Sequence, residues 1–113
     1  MILKCDVKGL NRLQQKLVKM ADPARINEVV LRNTTELQEK AKRNAPVDTG
    51  FLQGSIRFDM QGGGKTGVVK ATADYAQYVE LGTRFMLAQP YMKPAFDEQK
   101  EIFLKDLKKA VMP

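Results

Sequence analysis

The feature that most constrains this chain is a change of hydrophobic period at Ala45-Pro46-Val47-Asp48-Thr49-Gly50-Phe51-Leu52. Upstream, apolar residues recur with helical spacing; downstream, they alternate as in a strand. Pro46 biases Ala45 away from the α region, so the helix ends there. Asp48 and Thr49 can hydrogen-bond nearby backbone, and Gly50 allows a positive φ. Pro46, Asp48, Thr49 and Gly50 therefore read as a structural corner between a helix and a strand.

Around that corner the chain reads in order. Leu3, Cys5 and Val7 alternate with polar neighbours as the inward face of a short strand. Leu10, Leu13, Leu17 and Met20 fall at helical spacing. Asp22-Pro23 predicts a break, with Asp22 as N-cap and Pro23 at the first position of the next helix. That helix carries one stripe, Ile26, Val29, Val30, Asn33, Leu37 and Ala41. Asn33 on the stripe reads as a hydrogen-bonded register residue, and Glu36 and Lys40 are spaced to pair. After the corner, Leu52, Gly54, Ile56, Phe58 and Met60 share one strand face. A long flexible loop at 61–67 leads to a returning strand at 68–73, which predicts a hairpin. Tyr75 to Gly82 reads as a short helix, with Asp74 as its N-cap and Gly82 as a left-handed stop. Residues 83–89 read as extended. Pro90 and Pro94 bracket the start of the last helix, whose stripe is Met92, Ala95, Phe96, Ile102, Phe103, Leu107 and Ala110. Its acids come early and its lysines late, which complements the helix dipole.

The expected fold is α+β: a small antiparallel sheet packed against N-terminal helices and a long C-terminal helix. At 113 residues the size prior is a single domain, 1–113. The core expected from these stripes faces Leu52, Ile56, Phe58 and Val69.

Composition removes several chemistries. Histidine is absent and Cys5 is the one cysteine, so a Cys/His zinc site within one chain is excluded, as is an internal disulfide. A lone cysteine fits a cytoplasmic product. No apolar run has the length of a membrane span or a signal-peptide core. The net charge of +6 suits an anionic partner, with DNA among the candidates, and equally suits plain solubility. The bases are mixed with acids along the helices and form no aromatic-interleaved stripe, which leaves a basic nucleic-acid-binding module as an alternative reading.

Two short motifs point to chemistry and are outweighed by their context. Asp48-Thr49-Gly50 is the catalytic triplet of aspartic proteases, which in short chains pair two aspartates by dimerising. That triplet follows an apolar strand, whereas here it follows the polar helical run 38–44. Gly64-Lys65-Thr66 echoes the end of a phosphate-binding loop, yet its first glycine would fall on Asp59 and a strand follows.

Three stretches carry a family resemblance. Ala45 to Ile56, Tyr75-Ala76-Gln77-Tyr78-Val79-Glu80-Leu81-Gly82-Thr83 and Ala88-Gln89-Pro90-Tyr91-Met92-Lys93-Pro94-Ala95 resemble, in order and spacing, a family of small siphophage and prophage tail components. The resemblance covers nearly the whole chain; Tyr91 stands where the family often has Phe. It implies a virion structural protein of the neck or upper tail, acting in tail completion or head–tail joining. It also implies a homo-oligomeric ring, with a hexamer the preferred number, around a channel through which DNA passes without sequence-specific binding. The implied partners are further copies and neighbouring neck or tail proteins. No catalytic residue or cofactor is implied, and the product is made in the bacterial host cytoplasm without a membrane. The competing enzyme reading is the dimeric aspartic protease using Asp48.

Within that picture the expected contacts between subunits are the hairpin tip Gly62-Gly63-Gly64-Lys65 and the segment Arg84-Phe85-Met86. Three glycines lose much entropy on ordering and contribute no side-chain packing. Arg, Phe and Met are favoured at interface cores. A structural corner makes its own prediction: Asp48→Asn keeps fold and assembly, because Asn serves the same turn chemistry. A proteolytic activity present in the wild type and abolished by Asp48→Asn would contradict it.

Overall fold

The computed structural model describes residues 2–5, 16, 19–46 and 50–111. Strand β1 (Ile2–Cys5) is followed by helix α1 (Pro23–Asn44), short helix α2 (Phe51–Ser55), strand β2 (Ile56–Gln61), a 3-10 turn at Gly62–Gly64, strand β3 (Thr66–Ala71), helix α3 (Ala76–Leu81) and helix α4 (Met92–Val111). This is an α+β fold with a three-stranded antiparallel sheet in the order β1-β3-β2. Val7, Leu10, Leu13 and Leu17 lie outside the described residues, as do Val47, Asp48 and Thr49 of the corner. No helix among the described residues is long and apolar enough to cross a membrane.

Helix α1 begins as its sequence dictates. Ala24 N–H donates to Asp22 Oδ1 at 3.0 Å, and Pro23 takes the first helical position, where no N–H is needed. It ends at Ala45, whose extended ψ of 139° is the conformation that Pro46 demands. All six stripe residues are buried, and Thr34 joins them. Thr34 has its hydroxyl satisfied by Val30 O at 2.7 Å. Opposite it on β3 stands Gly67, where a Cβ would overlap the Thr34 side chain. The bare glycine is what lets α1 lie close to the central strand.

Helix α4 packs antiparallel to α1 along a polar seam in an otherwise apolar contact. Gln99, fully buried, donates to Asn33 Oδ1 at 2.6 Å and to Glu36 Oε2 at 2.8 Å, and it accepts from Lys40 Nζ at 2.7 Å. Asn33 Nδ2 donates to Val29 O at 2.9 Å and to Asp106 Oδ2 at 3.1 Å. Asn33 is thus a register residue as expected, while Lys40 reaches across to Gln99 and to Glu98 (3.4 Å) rather than along its own helix to Glu36. Met92, Ala95, Phe103 and Leu107 of the α4 stripe are buried, with Phe96 and Ala110 packed partly against them. Ile102 sits at the margin, 36 % exposed, because Gln99 holds the central position of the seam.

Three further expectations change. Residues 51–55 are helical, not the start of a strand. Leu52 and Ile56 are spaced for a helical turn as well as for a strand, and Gly50 at φ 76° starts the turn with Gly54 N–H on Gly50 O at 2.9 Å. Ser55 closes it by donating to Leu52 O at 2.7 Å. The hairpin has a tight turn in place of a long flexible loop: Gln61 still pairs with Thr66, and Gly62–Gly64 close the gap. Finally, Phe58 is 41 % exposed, although it pairs with fully buried Val69. It lies on the outer strand β2, whereas the helices cover the central strand and the Ile56 end.

Phe103 is 4 % exposed in the core cluster between α4 and α1. Phe103→Ala is expected to lower the unfolding free energy by roughly 3–5 kcal/mol in denaturant titrations. A loss below about 1 kcal/mol would place this ring outside the core.

Candidate assembly surface

The segment from Asp74 to Lys93 builds a surface out of one short helix and one closed turn. At the start of α3 the N-cap position is Tyr75, not the expected Asp74, and no side chain caps it; backbone bonds from Ala76, Tyr78 and Val79 close the first turn. At its end Gly82 has φ 78° and ψ 170°, so the stop uses a positive φ without the left-handed helical ψ. A Cβ at Gly82 would meet Ala88 N at 2.8 Å, so the crossing of the two segments requires glycine. Residues 83–86 form a turn where an extended run was expected. Thr83 N–H donates to Met86 O at 2.9 Å, and Phe85 N–H donates to Thr83 Oγ1 at 3.2 Å. Gln89 N–H then donates to Val79 O at 2.8 Å, which folds the segment back along α3.

One carboxylate fastens this unit to the long helix. Glu80, 4 % exposed, accepts from Tyr91 N–H (3.0 Å) and Met92 N–H (2.8 Å) on Oε1, and from Lys93 N–H (3.3 Å) on Oε2. These N–H groups have no partner within α4, and a negative charge at a helix N-terminus is favoured by the helix dipole. The helix has no acid of its own in the first turn, so α3 supplies it. In return, Tyr91 Oη donates to Ala76 O at 3.2 Å. The Tyr91 phenol is pushed up to about 12 by burial, then by the Glu80 carboxylate and by Tyr75.

With its inner side clamped, α3 turns an apolar row outward. Ala76, Val79 and Glu80 are buried, whereas Tyr75, Tyr78 and Leu81, at i, i+3 and i+6, are exposed. Phe51 stacks on Tyr75 with ring centroids 6.1 Å apart. Beyond the helix, Phe85 is 91 % and Leu87 87 % exposed, and the Arg84 guanidinium lies 5.5 Å from the Phe85 ring centroid. Exposed apolar side chains in such numbers are characteristic of a contact with another macromolecule.

The other expected contact segment lies elsewhere. Gly62, Gly63 and Gly64 all have positive φ, and a Cβ on Gly64 would meet the Asn27 side chain at 2.8 Å. The tip therefore rests on the first turns of α1, with Gly62, Gly63 and Lys65 exposed. Because α1 and α4 are antiparallel, this is the C-terminal end of α4, while Arg84-Phe85-Met86 sits at its N-terminal end. The structure does not bring the two segments together. The corner retains Pro46 and the left-handed Gly50.

Sequence reasoning named Arg84, Phe85 and Met86, which the structure leaves exposed, and did not single out Glu80 as a clamp or Tyr75, Tyr78, Leu81 and Leu87 as outward residues. The signal was present: Tyr75, Ala76, Tyr78, Val79 and Leu81 spread over more of a short helix than one buried face can hold. The clamp also carries a pH dependence. Folding raises the Tyr91 pKa above its ordinary 10, so its contribution to stability is complete below pH 10 and is lost as pH rises towards about 12. Denaturant midpoints are expected to fall over that window, and Tyr91→Phe should flatten the fall; an unchanged slope would contradict the burial of a neutral phenol.

The family model described as bacteriophage HK97-gp10, tail-component, matches residues 10–82. The match takes in the corner and the whole of α3, and it stops before the Tyr91 stretch that Glu80 holds. No curated protein and no solved structure matched the chain. Residues 10–82 are well over half of the sequence, and the chain belongs to the HK97-gp10-like family of bacteriophage tail components.

Proposed function

We propose that this protein is a non-enzymatic structural component of the phage neck or upper tail, acting in tail completion or head–tail joining as part of a ring around the DNA channel. The observation that carries the reading is the exposed turn at Arg84-Phe85-Met86, held rigid by backbone bonds and presenting Phe85 at 91 % exposure. A rigid, outward aromatic suits a contact made many times in an assembly, since little entropy remains to be lost on docking. The hairpin tip at Gly62-Gly63-Gly64-Lys65 lies at the opposite end of the α1–α4 pair, where it can serve a second contact in a closed ring.

The sheet supports the DNA-lined channel. Arg57 and Lys70 are both exposed and stand directly opposite each other on β2 and β3. Like charges in that position cost stability unless an anion lies nearby. A phosphate backbone passing the sheet would offset the cost without any base being read.

Interrupting the gene should leave filled heads beside finished, unattached tails in the lysate. Complementation with Phe85→Asp should fail to restore whole particles while the isolated variant remains folded, because Phe85 supports no core. Normal virions from the interrupted gene would overturn the reading. A variant that unfolds would return Phe85 to the domain interior.

A further inference from the structure

We infer that two copies of the free protein pair edge to edge through β2, antiparallel across a two-fold axis at Phe58. β2 is an outer strand, and among the described residues its second edge pairs with no other strand. It contains neither proline nor a bulge, two of the usual guards of such an edge. Three bonds fix the direction of its backbone groups. Thr72 N–H donates to Ser55 O at 3.1 Å, so Ser55 faces β3 and, by alternation, so do Arg57, Asp59 and Gln61. Ile56 and Met60 face away. Ile56 N–H donates to Gln53 O, Ile56 O accepts from Gln38 Nε2 at 3.0 Å, and Met60 N–H donates to Asp59 Oδ1 at 2.9 Å. Between them, Phe58 directs its N–H and C=O outward, without a partner among the described residues. Phe58 is also 41 % exposed.

The charges on β2 select both the occupant and the register. Arg57 and Asp59 are exposed and share the sheet face opposite to Phe58. Neither has an ion-pair partner among the described residues. The bond from Met60 holds the Asp59 carboxylate at the free edge. Outward-facing residues oppose one another as hydrogen-bonded pairs, so the register can move only by two residues at a time. With Phe58 opposite its own copy, the strands exchange both Phe58 hydrogen bonds. Arg57 of each copy then stands across from Asp59 of the other. These are the closer, non-hydrogen-bonded pairs, with Cα atoms about 4.5 Å apart. A slip by one step opposes Asp59 to Asp59 in one direction and Arg57 to Arg57 in the other. The order Arg-Phe-Asp is thus its own complement when read antiparallel, which is what an isologous contact requires. An unrelated strand matches the Phe58 bonds alone unless it carries the same order of charges. The pairing also brings a carboxylate to the like-charged neighbours Arg57 and Lys70 before any DNA is present. It joins the two three-stranded sheets into one and stands independently of the tail reading.

Sedimentation equilibrium of the purified full chain, at rising concentration, tests it. A reversible monomer–dimer equilibrium without larger species is expected. Arg57→Asp and Asp59→Arg should each weaken the dimer about tenfold or more, since each change acts twice across the axis. The double variant reverses both members of each pair and should restore the dimer. Amide hydrogen exchange of the wild type reads the same edge without any substitution: exchange at Phe58 N–H should slow as concentration rises. A monomer at the highest soluble concentration, larger species without a dimer, or a dimer indifferent to either charge reversal would each overturn the proposal. So would a double variant no better than the singles. A Phe58 N–H that exchanges as fast in the dimer as in the monomer would overturn it too, and this measurement decides should a variant fail to fold. The state of the lysate particles is a separate readout, so failure of the pairing and failure of the tail reading are told apart.

Discussion

The contact between Asn33 and Gln99 fixes how the two long helices meet, and most of the molecule is hung from those helices. Both side chains are fully buried amides. Gln99 donates to Asn33 Oδ1 and Glu36 and accepts from Lys40, while Asn33 donates to Val29 O and Asp106. A slip of α4 by one turn would leave several of these groups buried without partners, at about 1–3 kcal/mol each. The apolar stripe alone would tolerate such a slip far better, since Leu, Ala and Phe have no directional bonds to lose. Polar residues thus determine the register, and apolar residues supply the driving force.

From this fixed pair the two surfaces follow. The start of α4 receives the Glu80 carboxylate, and with it α3 and the turn behind it. The start of α1 receives the glycine turn of the hairpin at Asn27. Each contact segment is tied to one end of the helix pair, so the separation between them is set by helix length and does not depend on loops.

Much of the fold is legible in the sequence where one physical rule acts alone. The start of α1 is such a case, since an aspartate before a proline admits few other readings. The register role of Asn33 is another, because an amide on an apolar stripe must find a partner. Legibility fails where two rules fit the same letters. Leu52 and Ile56, four apart, share a face in a helical turn and in a strand alike, and the left-handed Gly50 decides between them. It fails again where the partner is distant in sequence: Glu80 caps a helix that begins twelve residues later, and Gln99 bonds to Asn33, Glu36 and Lys40 on α1. The exposed turn at 84–86 was legible in composition, whereas its closed shape depends on the Gly82 crossing over Ala88.

The Glu80 clamp also determines where this molecule comes apart first. Helices fray from ends whose backbone groups lack partners, and the start of α4 has three of its N–H groups held by one buried carboxylate. At the far end of α4, among the described residues, the exposed Lys108 and Lys109 are the bases of the last turn that offset its carbonyls. Spontaneous opening of α4 therefore starts at its C-terminal end and proceeds towards the clamp. The aromatic surface therefore keeps its shape while the opposite end of the helix pair opens first.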